Sequence, residues 1–318
     1  IISQLFKHHQ LFKICTMENL PVDYFVKAGA FTKATYRDVY PSINPTAVSN
    51  SQAGKVIVIT GASKGIGRLG FVKSFAEAGP KGIVIISRSA AELEVVRQEI
   101  LSINNGIEVL AVATDARDAT SVDSLWQKVK AKFGKADVLI NNAGTLMNGL
   151  ISEIPVDTWW TDFETNVRGT FLFTQGFLKL LGTEAKGSIV NMTSGLAVMT
   201  VPGMSSYSLS KLAILQLQAY IALENPNVTA IALHPGIVKT EMTAGAFQRF
   251  ALDTPELVGG IGVWLSTEKA AFLNGKYVSS NWSVDDLAAR KEEIVSGGKL
   301  SLILKGDLGR NNSLRSAS

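Results

Sequence analysis

The chain has 318 residues, 46% hydrophobic and 18% charged, which is ordinary globular composition with no sign of extended disorder. The net charge of +4 is mild and scattered, so nucleic-acid binding has little support, although an anionic cofactor would fit. The single Cys15 cannot form an internal disulfide, and no Cys/His cluster has metal-ligand spacing, so no metal is expected. No stretch approaches the ~18 apolar residues of a membrane span. A reducing, cytoplasmic location is the simplest expectation.

The N-terminal extension, residues 1–53, has no assigned role. Its first residues, "IISQLFKHHQLFKICT", contain no acidic residue and directly precede Met17. They can be read as an organelle leader, against which the absence of Arg speaks, or as an upstream artefact or disordered tail, which we favour. Residues 17–53, rich in Pro, Ser, Asn and Gly, predict an irregular segment wrapped on the surface.

A regular alternation of apolar β-runs and helical patterns begins at Lys55. β-Branched runs predict strands, and apolar residues at helical spacing predict helices between them. The predicted strands cover 55–60, 82–87, 108–115, 136–144, 187–194, 228–236 and 275–280. The predicted helices cover 68–78, 90–102, 121–134, 156–181, 206–224 and 255–265.

This alternation predicts one α/β domain over residues 54–280, built on a seven-stranded parallel sheet with helices on both faces. No composition break interrupts that range, and no repeat of solenoid length is present. Residues 281–318 are expected to form a C-terminal tail.

The stretch "VIVITGASKGIG" places Gly61, Gly65 and Gly67 between the first strand and a helix. Glycines there let the backbone approach a pyrophosphate, and the helix N-terminus offers free N–H groups and a positive dipole end. The spacing differs from G-x-G-x-x-G and lacks the G-K-[ST] ending of a P-loop. A nucleotide-binding loop is predicted, which also includes Ser63, Lys64 and Ile66.

A possible proton donor lies in "YSLSK", where Tyr207 and Lys211 are four residues apart on one helical face. A nearby cation favours the phenolate and would lower the pKa of Tyr207 from about 10. The pair is a common pattern by itself. Ser194 strengthens it because it follows a strand at the carboxyl edge of a parallel sheet, where ligands bind. Thr193 is its rival by residue type alone.

Together, "TGASKGIG", "NNAG" (141–144), Asn166, Ser194, "YSLSK" and "PG" (235–236) resemble the motifs of the classical short-chain dehydrogenases/reductases, of fungal type, over about residues 54–280. The resemblance implies a single-domain, doubly wound Rossmann fold. It also selects Ser194, thirteen residues before Tyr207, as the catalytic serine. Asn166 matches a fourth catalytic member, which perturbs its helix and holds water in a proton relay through Lys211. A mid-helix Asn is unfavourable by propensity, which agrees with a functional role.

The end of the second strand, "VIISRS", bears on the choice of nicotinamide cofactor. Ser87 stands where NAD-preferring relatives carry Asp, and Arg88 follows it. Arg88 and Lys64 can converge on a 2′-phosphate through charge-assisted hydrogen bonds, or both can be ordinary surface charges. The missing Asp favours NADP(H).

The resemblance implies further cofactor contacts. Asp115 would contact the adenine, and Tyr207 and Lys211 the nicotinamide ribose. The remaining contacts, along the ribose and nicotinamide, would come from Asn142, Ala143, Gly144, Pro235, Gly236, Val238 and Thr240. The "NNAG" segment can equally stabilise the sheet, and His234 is interpreted as a packed structural residue rather than a base.

The segment 241–256 falls where the family places its substrate loop. Its Met242, Phe247 and Phe250 can line a pocket for a hydrophobic ketone or cap the core, and both interpretations stay open. The helices over 156–181 and 206–224 resemble the family's dimer interface, which favours a homodimer or homotetramer. The apolar residues of these two helices can either form that interface or cover the sheet. They include Phe171, Phe173, Phe177, Leu212, Leu215 and Leu217.

The predicted function is NADPH-dependent reduction of a ketone or aldehyde to an alcohol, or the reverse oxidation, on a small-molecule substrate. One alternative is a non-catalytic NADP-binding regulatory or scaffold protein, although such relatives usually lose part of the tyrosine–lysine–serine set. Another is isomerisation or dehydration at the same site. The sequence does not identify the substrate.

Overall fold

The computed structural model describes residues 17, 19–243 and 245–303, so the leader or artefact predicted for the first sixteen residues lies outside it. Apolar runs form the strands, whose bounds are β1 Val56–Thr60, β2 Gly82–Ser87, β3 Glu108–Ala113, β4 Val138–Asn141, β5 Gly187–Met192, β6 Val228–His234 and β7 Tyr277–Ser279.

The helices follow the predicted alternation closely. Their bounds are α1 Tyr24–Ala28, α2 Lys73–Glu77, α3 Ala90–Ile103, α4 Ala119–Phe133, α5 Val156–Asp162, α6 Thr170–Leu181, α7 Ser205–Glu224, α8 Pro255–Leu265, α9 Val284–Ala289 and α10 Lys291–Ser296. Two segments are wound as π-helix: Gly67–Val72, which leads into α2, and Phe163–Gly169, which joins α5 to α6. Short 3₁₀ turns lie at Pro41–Ile43, Val48–Asn50, Gly195–Val198, Gly245–Phe250 and Glu268–Leu273.

The strands form one parallel sheet in the order β3-β2-β1-β4-β5-β6-β7. The order reverses between β1 and β4, which pair with Val58 opposite Leu139. In such a sheet ligands bind outside the carboxyl ends of the strands at this switch point. The predicted doubly wound, seven-stranded parallel sheet is confirmed.

Helices cover both faces of the sheet because its strands are apolar on both sides. Alternate residues of β1 point to opposite faces, so that Ile57 and Ile59 meet one layer and Val58 meets the other. The first layer contains the π-helical turn before α2 together with α2, α3 and α8, and the second contains α4, α6 and α7. No helix in the described part of the chain is long and apolar enough to cross a membrane.

Several strands end before their predicted limits, since the last residues predicted for them belong to loops. β3 ends at Ala113 and β4 at Asn141, which leaves Asp115 and the residues after Asn141 outside the sheet. β6 likewise ends at His234. These loop residues lie at the carboxyl edge, where side chains and backbone are available to a ligand.

The sequence predicts that the N-terminal extension wraps on the surface, but part of the extension is buried in the core. Tyr40 and Ile43 are buried in the core layer that contains α8. The hydroxyl of Tyr40 donates to the carbonyl of Trp282 at 3.2 Å and accepts from the backbone N–H of Val284 at 2.8 Å. The segment is irregular because its order comes from these distant contacts rather than from a local hydrophobic period.

The chain after Asn281 begins with packed helices. Leu287 of α9 and Ile294 of α10 are fully buried against the same core layer as Ile43. The predicted C-terminal tail therefore contributes buried residues up to α10, and its last residues, 304–318, lie outside the described part.

We predict that Ile43→Ala destabilises the chain by about 2–5 kcal/mol, because it leaves a cavity where a fully buried side chain packs. Val48→Ala, at a side chain that is 93% exposed in the same extension, should change the stability by less than about 0.5 kcal/mol. Urea unfolding of both variants measures the difference. Equal stabilities would show that the extension does not belong to the core.

Candidate active site

The loop after β1 forms a cradle of three glycines, Gly61, Gly65 and Gly67. Gly61 (φ +65°) and Gly65 (φ +55°) adopt the left-handed conformation that other residues rarely take. A Cβ on Gly61 would lie 2.8 Å from the Cα of Ala143, and one on Gly67 would lie 2.0 Å from the carbonyl oxygen of Gly61. The close backbone approach ahead of a helix is what a pyrophosphate site requires, so this cradle fits a dinucleotide.

The residues after β4 hold this cradle in place. The Asn142 side chain donates to the carbonyl oxygens of Thr60 and Gly61 at 3.0 and 3.1 Å. The hydroxyl of Thr60 accepts from the backbone N–H groups of Asn142 and Ala143, both at 3.0 Å. The structural role that the sequence left open for this segment is therefore present. A Cβ on Gly144 would lie 3.1 Å from Oδ1 of Asn166 and 3.5 Å from Nζ of Lys211, so the segment leads directly into the catalytic residues.

The residues predicted for the 2′-phosphate occupy two loops. Ser87 ends β2, and its hydroxyl accepts from the N–H of Ser89 at 3.2 Å. The Arg88 side chain is exposed and forms no hydrogen bond to any other described residue. Lys64 forms an ion pair at 2.6 Å with Glu241, a carboxylate that the sequence analysis did not consider.

Asp115 lies two residues beyond the end of β3 and is engaged by Arg117. The carboxylate accepts from the guanidinium at 3.1 and 2.7 Å and from the backbone N–H of Arg117 at 2.9 Å. The side-chain hydrogen bond with Arg117 lowers the pKa of Asp115 to about 2. The group is therefore a permanent acceptor at this edge of the sheet.

Tyr207 and Lys211 lie one turn apart at the start of α7, as their spacing predicts. Nζ of Lys211 is 5.7 Å from the centre of the Tyr207 ring and donates to the carbonyl of Met192, the last residue of β5, at 2.9 Å. Ser194 follows β5, and its hydroxyl lies near enough to Tyr207 to affect the pKa of that phenol. The Ser194 hydroxyl also accepts from the N–H of Leu196 at 3.2 Å, which fixes its orientation. The structure brings the three side chains together.

The expectation that Lys211 lowers the pKa of Tyr207 is wrong for this structure. Burial raises the pKa of Tyr207 to about 12; the nearby Ser194 hydroxyl opposes the rise, and the charge of Asp162 adds to it. Burial also lowers the pKa of Lys211 to about 8, and Asp162 opposes that change. Withdrawal from water disfavours the charged form of both groups, and it is the largest influence on the pKa of each. Tyr207 therefore holds its proton at neutral pH.

Asn166 lies fully buried in the π-helical turn between α5 and α6, so the helix is indeed perturbed where it sits. Its Oδ1 accepts from the N–H of Thr145 at 2.9 Å, and its Nδ2 donates to the Thr145 carbonyl at 3.0 Å. Nδ2 also donates to the hydroxyl of Ser210 at 2.9 Å. The side chain links the segment after β4 to the catalytic helix. A water relay at this position stays a prediction.

Asp162 is a site residue that the sequence analysis missed. The fully buried carboxylate accepts from the hydroxyl of Thr145 at 2.7 Å, the N–H of Met147 at 3.0 Å and the hydroxyl of Ser206 at 2.9 Å. Ser206 precedes Tyr207, so Asp162 anchors the start of the catalytic helix. The available signal was an acidic residue inside the aromatic run "TWWTDF", one helical turn before Asn166.

The chain leaves β6 through a loop, residues 235–243 and 245–254, called the β6 loop below. Pro235 opens it, and Gly236 (φ +75°) would place a Cβ only 2.3 Å from Oδ2 of Asp253. Val238 is buried and forms a bridge with Asp253. The Cγ2 of Thr240 lies 3.6 Å from the position of a Cβ on Gly65, so the β6 loop faces the glycine cradle.

The aromatic residues of the β6 loop pack mainly on the N-terminal extension. Phe250 is buried, with its ring centre 4.9 Å from that of Phe25, and half-buried Phe247 lies 5.6 Å from the same ring. Met242 is 42% exposed. Of the two open interpretations, capping applies to Phe250 and partly to Phe247, whereas Met242 is exposed and does not cap the core.

His234 accepts a hydrogen bond at Nδ1 from the N–H of Gly195 at 3.1 Å. Burial lowers its pKa to about 4, so the ring is neutral at physiological pH. It therefore supports the turn that follows Ser194, in agreement with a structural role. Among the residues that the structure describes, no group of three or more His, Cys, Asp or Glu could hold a metal ion.

Comparisons with known proteins identify the family of the chain. The family model for short chain dehydrogenases matches residues 55–250. A short chain dehydrogenase of Monascus purpureus is 38% identical over 291 residues, which cover 88% of this chain and 99% of that protein. A 3-oxoacyl-[acyl-carrier-protein] reductase of Synechocystis sp. is 32% identical over 227 residues, with 68% and 91% covered. The solved structure of a dehydrogenase/reductase from Sinorhizobium meliloti 1021 is similar with a TM-score of 0.67 at 26% identity, covering 73% of this chain and 95% of that one.

A doubly wound sheet with a glycine cradle beside a Ser–Tyr–Lys set defines a nicotinamide-dependent oxidoreductase. The chain belongs to the short-chain dehydrogenase/reductase family, and its fungal relatives place it among the classical members. It is therefore an NAD(P)-dependent oxidoreductase of carbonyl and alcohol groups that acts on small molecules.

We predict that the neutral state of His234 makes stability fall with acidity. Its pKa is lower in the folded chain, about 4, than its ordinary 6.5, so the unfolded chain binds more protons between these values. The contribution of His234 is therefore complete above about pH 6.5 and is lost as the pH falls towards 4. His234→Asn keeps an acceptor for Gly195 but cannot titrate. Urea unfolding across this range should show a smaller loss for the variant; parallel curves would contradict the argument.

Proposed function

We propose that the chain catalyses NADPH-dependent reduction of a ketone or aldehyde to an alcohol, with Tyr207 as the proton donor. The observation that supports this most directly is the protonated Tyr207, next to Ser194 and one turn from buried Lys211, at the carboxyl edge beside the glycine cradle. A donor whose pKa is about 12 is suited to giving up a proton only when a more basic oxygen forms next to it.

The cofactor would be held by the loops at the switch point. Backbone of the cradle would take the pyrophosphate, Asp115 the adenine end, and Lys211 with Tyr207 the nicotinamide ribose. The other expected contacts are those of Ser63, Lys64, Ile66, Ser87, Arg88, Asn142, Ala143, Gly144, Pro235, Gly236, Val238 and Thr240. When bound, the nicotinamide supplies a hydride to the carbonyl carbon.

The side chains of the site then stabilise and neutralise the negative charge that develops on the carbonyl oxygen. The Ser194 hydroxyl donates a hydrogen bond to this oxygen and polarises the carbonyl. Tyr207 donates its proton to the same oxygen, which completes the alcohol. The Lys211 cation stabilises the phenolate left behind, and Asp162, whose charge favours the protonated form of Lys211, helps to keep that cation in place. Asn166 orients the helix and supports return of a proton through Lys211.

The preference for NADP(H) rests on charge at the end of β2. Arg88 is exposed without a hydrogen-bond partner among the described residues, and Ser87 offers no carboxylate to repel a phosphate. Lys64 would exchange the exposed carboxylate of Glu241 for the 2′-phosphate. Both contacts would be charge-assisted hydrogen bonds.

The substrate is proposed to be a hydrophobic ketone. Met242 is an exposed apolar side chain on the β6 loop. The Synechocystis relative is, by its name, a reductase of a 3-oxoacyl group, which is a ketone.

We further propose a homodimer or homotetramer built on α5, α6 and α7. Some of the apolar side chains on these helices are buried within the chain and cover the sheet, namely Phe173, Phe177 and Leu215. Other apolar side chains on the same helices remain exposed, namely Trp160, Phe171, Leu209, Tyr220 and Leu223. Exposed apolar patches of this kind are typical of protein–protein contacts.

We predict that Tyr207→Phe lowers kcat by about a hundredfold or more, because it removes the proton donor and leaves the ring in place. NADPH binding should be nearly unchanged. The measurement is NADPH oxidation with a panel of hydrophobic ketones. Tyr220→Phe, on the exposed face of the same helix, is the matched control. Full activity in Tyr207→Phe would overturn the mechanism, and NADPH binding without turnover in the wild type would favour the scaffold alternative.

We also predict that Arg88→Asp shifts cofactor preference towards NADH. Loss of a hydrogen bond to a charged group, with repulsion added, should lower the ratio of kcat/KM for NADPH over NADH by roughly 10- to 100-fold. Lys81→Asp makes the same charge change before the opposite end of β2 and should leave the ratio unaltered. An unchanged ratio in Arg88→Asp would mean that Arg88 is an ordinary surface charge.

A further inference from the structure

The β6 loop is anchored by a buried carboxylate. Asp253 has a fully buried side chain, and three separate segments donate to it. Oδ2 accepts from the N–H of Ile237 at 2.7 Å, next to Gly236 in the part of the loop expected at the nicotinamide. Oδ1 accepts from Nδ2 of Asn281 at 3.0 Å and from the guanidinium of Arg37 at 3.0 Å.

Arg37 belongs to the N-terminal extension, for which the sequence suggested no role. Its guanidinium also donates to the carbonyl of Val22 at 3.1 Å, so it is held from both sides. Its own carbonyl accepts from the N–H of Thr254 at 2.9 Å, and Asp38 accepts from the hydroxyl of Thr254 at 2.8 Å. The extension is therefore hydrogen-bonded to the loop at Thr254, the residue that precedes α8.

The extension holds the β6 loop at a second point. Phe25 of α1 packs edge-on against Phe250 and lies close to Phe247. The Arg249 side chain donates to the carbonyl of Leu20 at 3.0 Å. Val238 and Thr240 lie between Ile237, which donates to Asp253, and Phe247, which packs near Phe25. The extension therefore contributes to the path of this part of the loop.

We propose that Arg37, acting through Asp253, is a positioning residue for the nicotinamide end of the cofactor. This inference rests on the proposed function, because it requires the β6 loop to meet the nicotinamide. Ile237 is placed by a carboxylate that Arg37 neutralises. Without the guanidinium, that carboxylate keeps two donors but remains a buried charge without its cation, which favours movement of the loop.

The test compares two ligands that share one end. NADPH reaches the β6 loop, whereas 2′,5′-ADP carries the adenosine phosphates and has no nicotinamide. Arg37→Met should weaken NADPH binding about ten- to a hundredfold through misplacement of the loop and leave binding of 2′,5′-ADP unchanged. Arg37→Lys should recover most of the affinity for NADPH. Lys33→Met, at an exposed lysine of the same segment, is the matched control and should behave as the wild type.

A second measurement reports on the loop itself. Trypsin should cleave after the exposed Lys239 several times faster in Arg37→Met than in the wild type. If Arg37→Met does not fold by circular dichroism, Phe25→Leu, which loosens the other anchor, should show the same faster cleavage.

Unchanged NADPH affinity in Arg37→Met, or equal weakening of both ligands, would overturn the positioning role. An unchanged cleavage rate in both variants would do the same. Failure of the proposed cofactor preference is visible separately, in a wild type that binds NADH but not NADPH. The comparison is then made with NADH and 5′-AMP, where the same selective loss is expected.

Discussion

Strands β1 and β4 lie side by side in the sheet, and the chain leaves their carboxyl ends towards opposite faces. The gap that opens there is bridged by the Asn142 side chain, which donates to both Thr60 and Gly61. These bonds bring two backbones so close that Gly61 and Gly67 have no room for a Cβ. Two residues after Asn142, Gly144 lies next to Lys211, so the same segment contacts both the cradle and the catalytic lysine. The dinucleotide end and the chemical end of the site therefore share one support.

Burial decides the charge states of the catalytic residues. It disfavours the phenolate of Tyr207 and the ammonium of Lys211 alike, and Asp162 favours the protonated form of both. A carboxylate at this place, fully hydrogen-bonded by Thr145, Met147 and Ser206, retains protons at the site. Tyr207 therefore keeps its proton until a strongly basic oxygen forms beside it, which agrees with the proposed role of Tyr207 as a proton donor.

The sequence predicts the sheet well because strands that are buried on both faces are continuous apolar runs, such as "VIVIT" and "GIVIIS". It predicts Tyr207 and Lys211 because their proximity is set by one helical turn. The role of the extension could not be predicted, since Tyr40 meets Trp282 and Val284 across more than 200 residues of chain and no local period records such a contact. The direction of the Tyr207 pKa shift was misjudged for a related reason: spacing gives the distance to a cation but not the depth of burial.

Besides its aromatic contacts with Phe25, the β6 loop makes two ion pairs, which differ in burial and therefore in strength. In the ion pair of Arg37 with Asp253 the carboxylate is fully buried and the guanidinium is 26% exposed, so removal of Arg37 would leave a buried charge without its cation. The ion pair of Lys64 with Glu241 is largely exposed, where water and salt screen the attraction and the contribution is small. A ligand that offers Lys64 a phosphate can therefore displace Glu241 easily, whereas nothing at the surface competes with Asp253. Binding of the proposed 2′-phosphate would therefore break the contact of the loop at Glu241 and leave its contact at Asp253 unchanged.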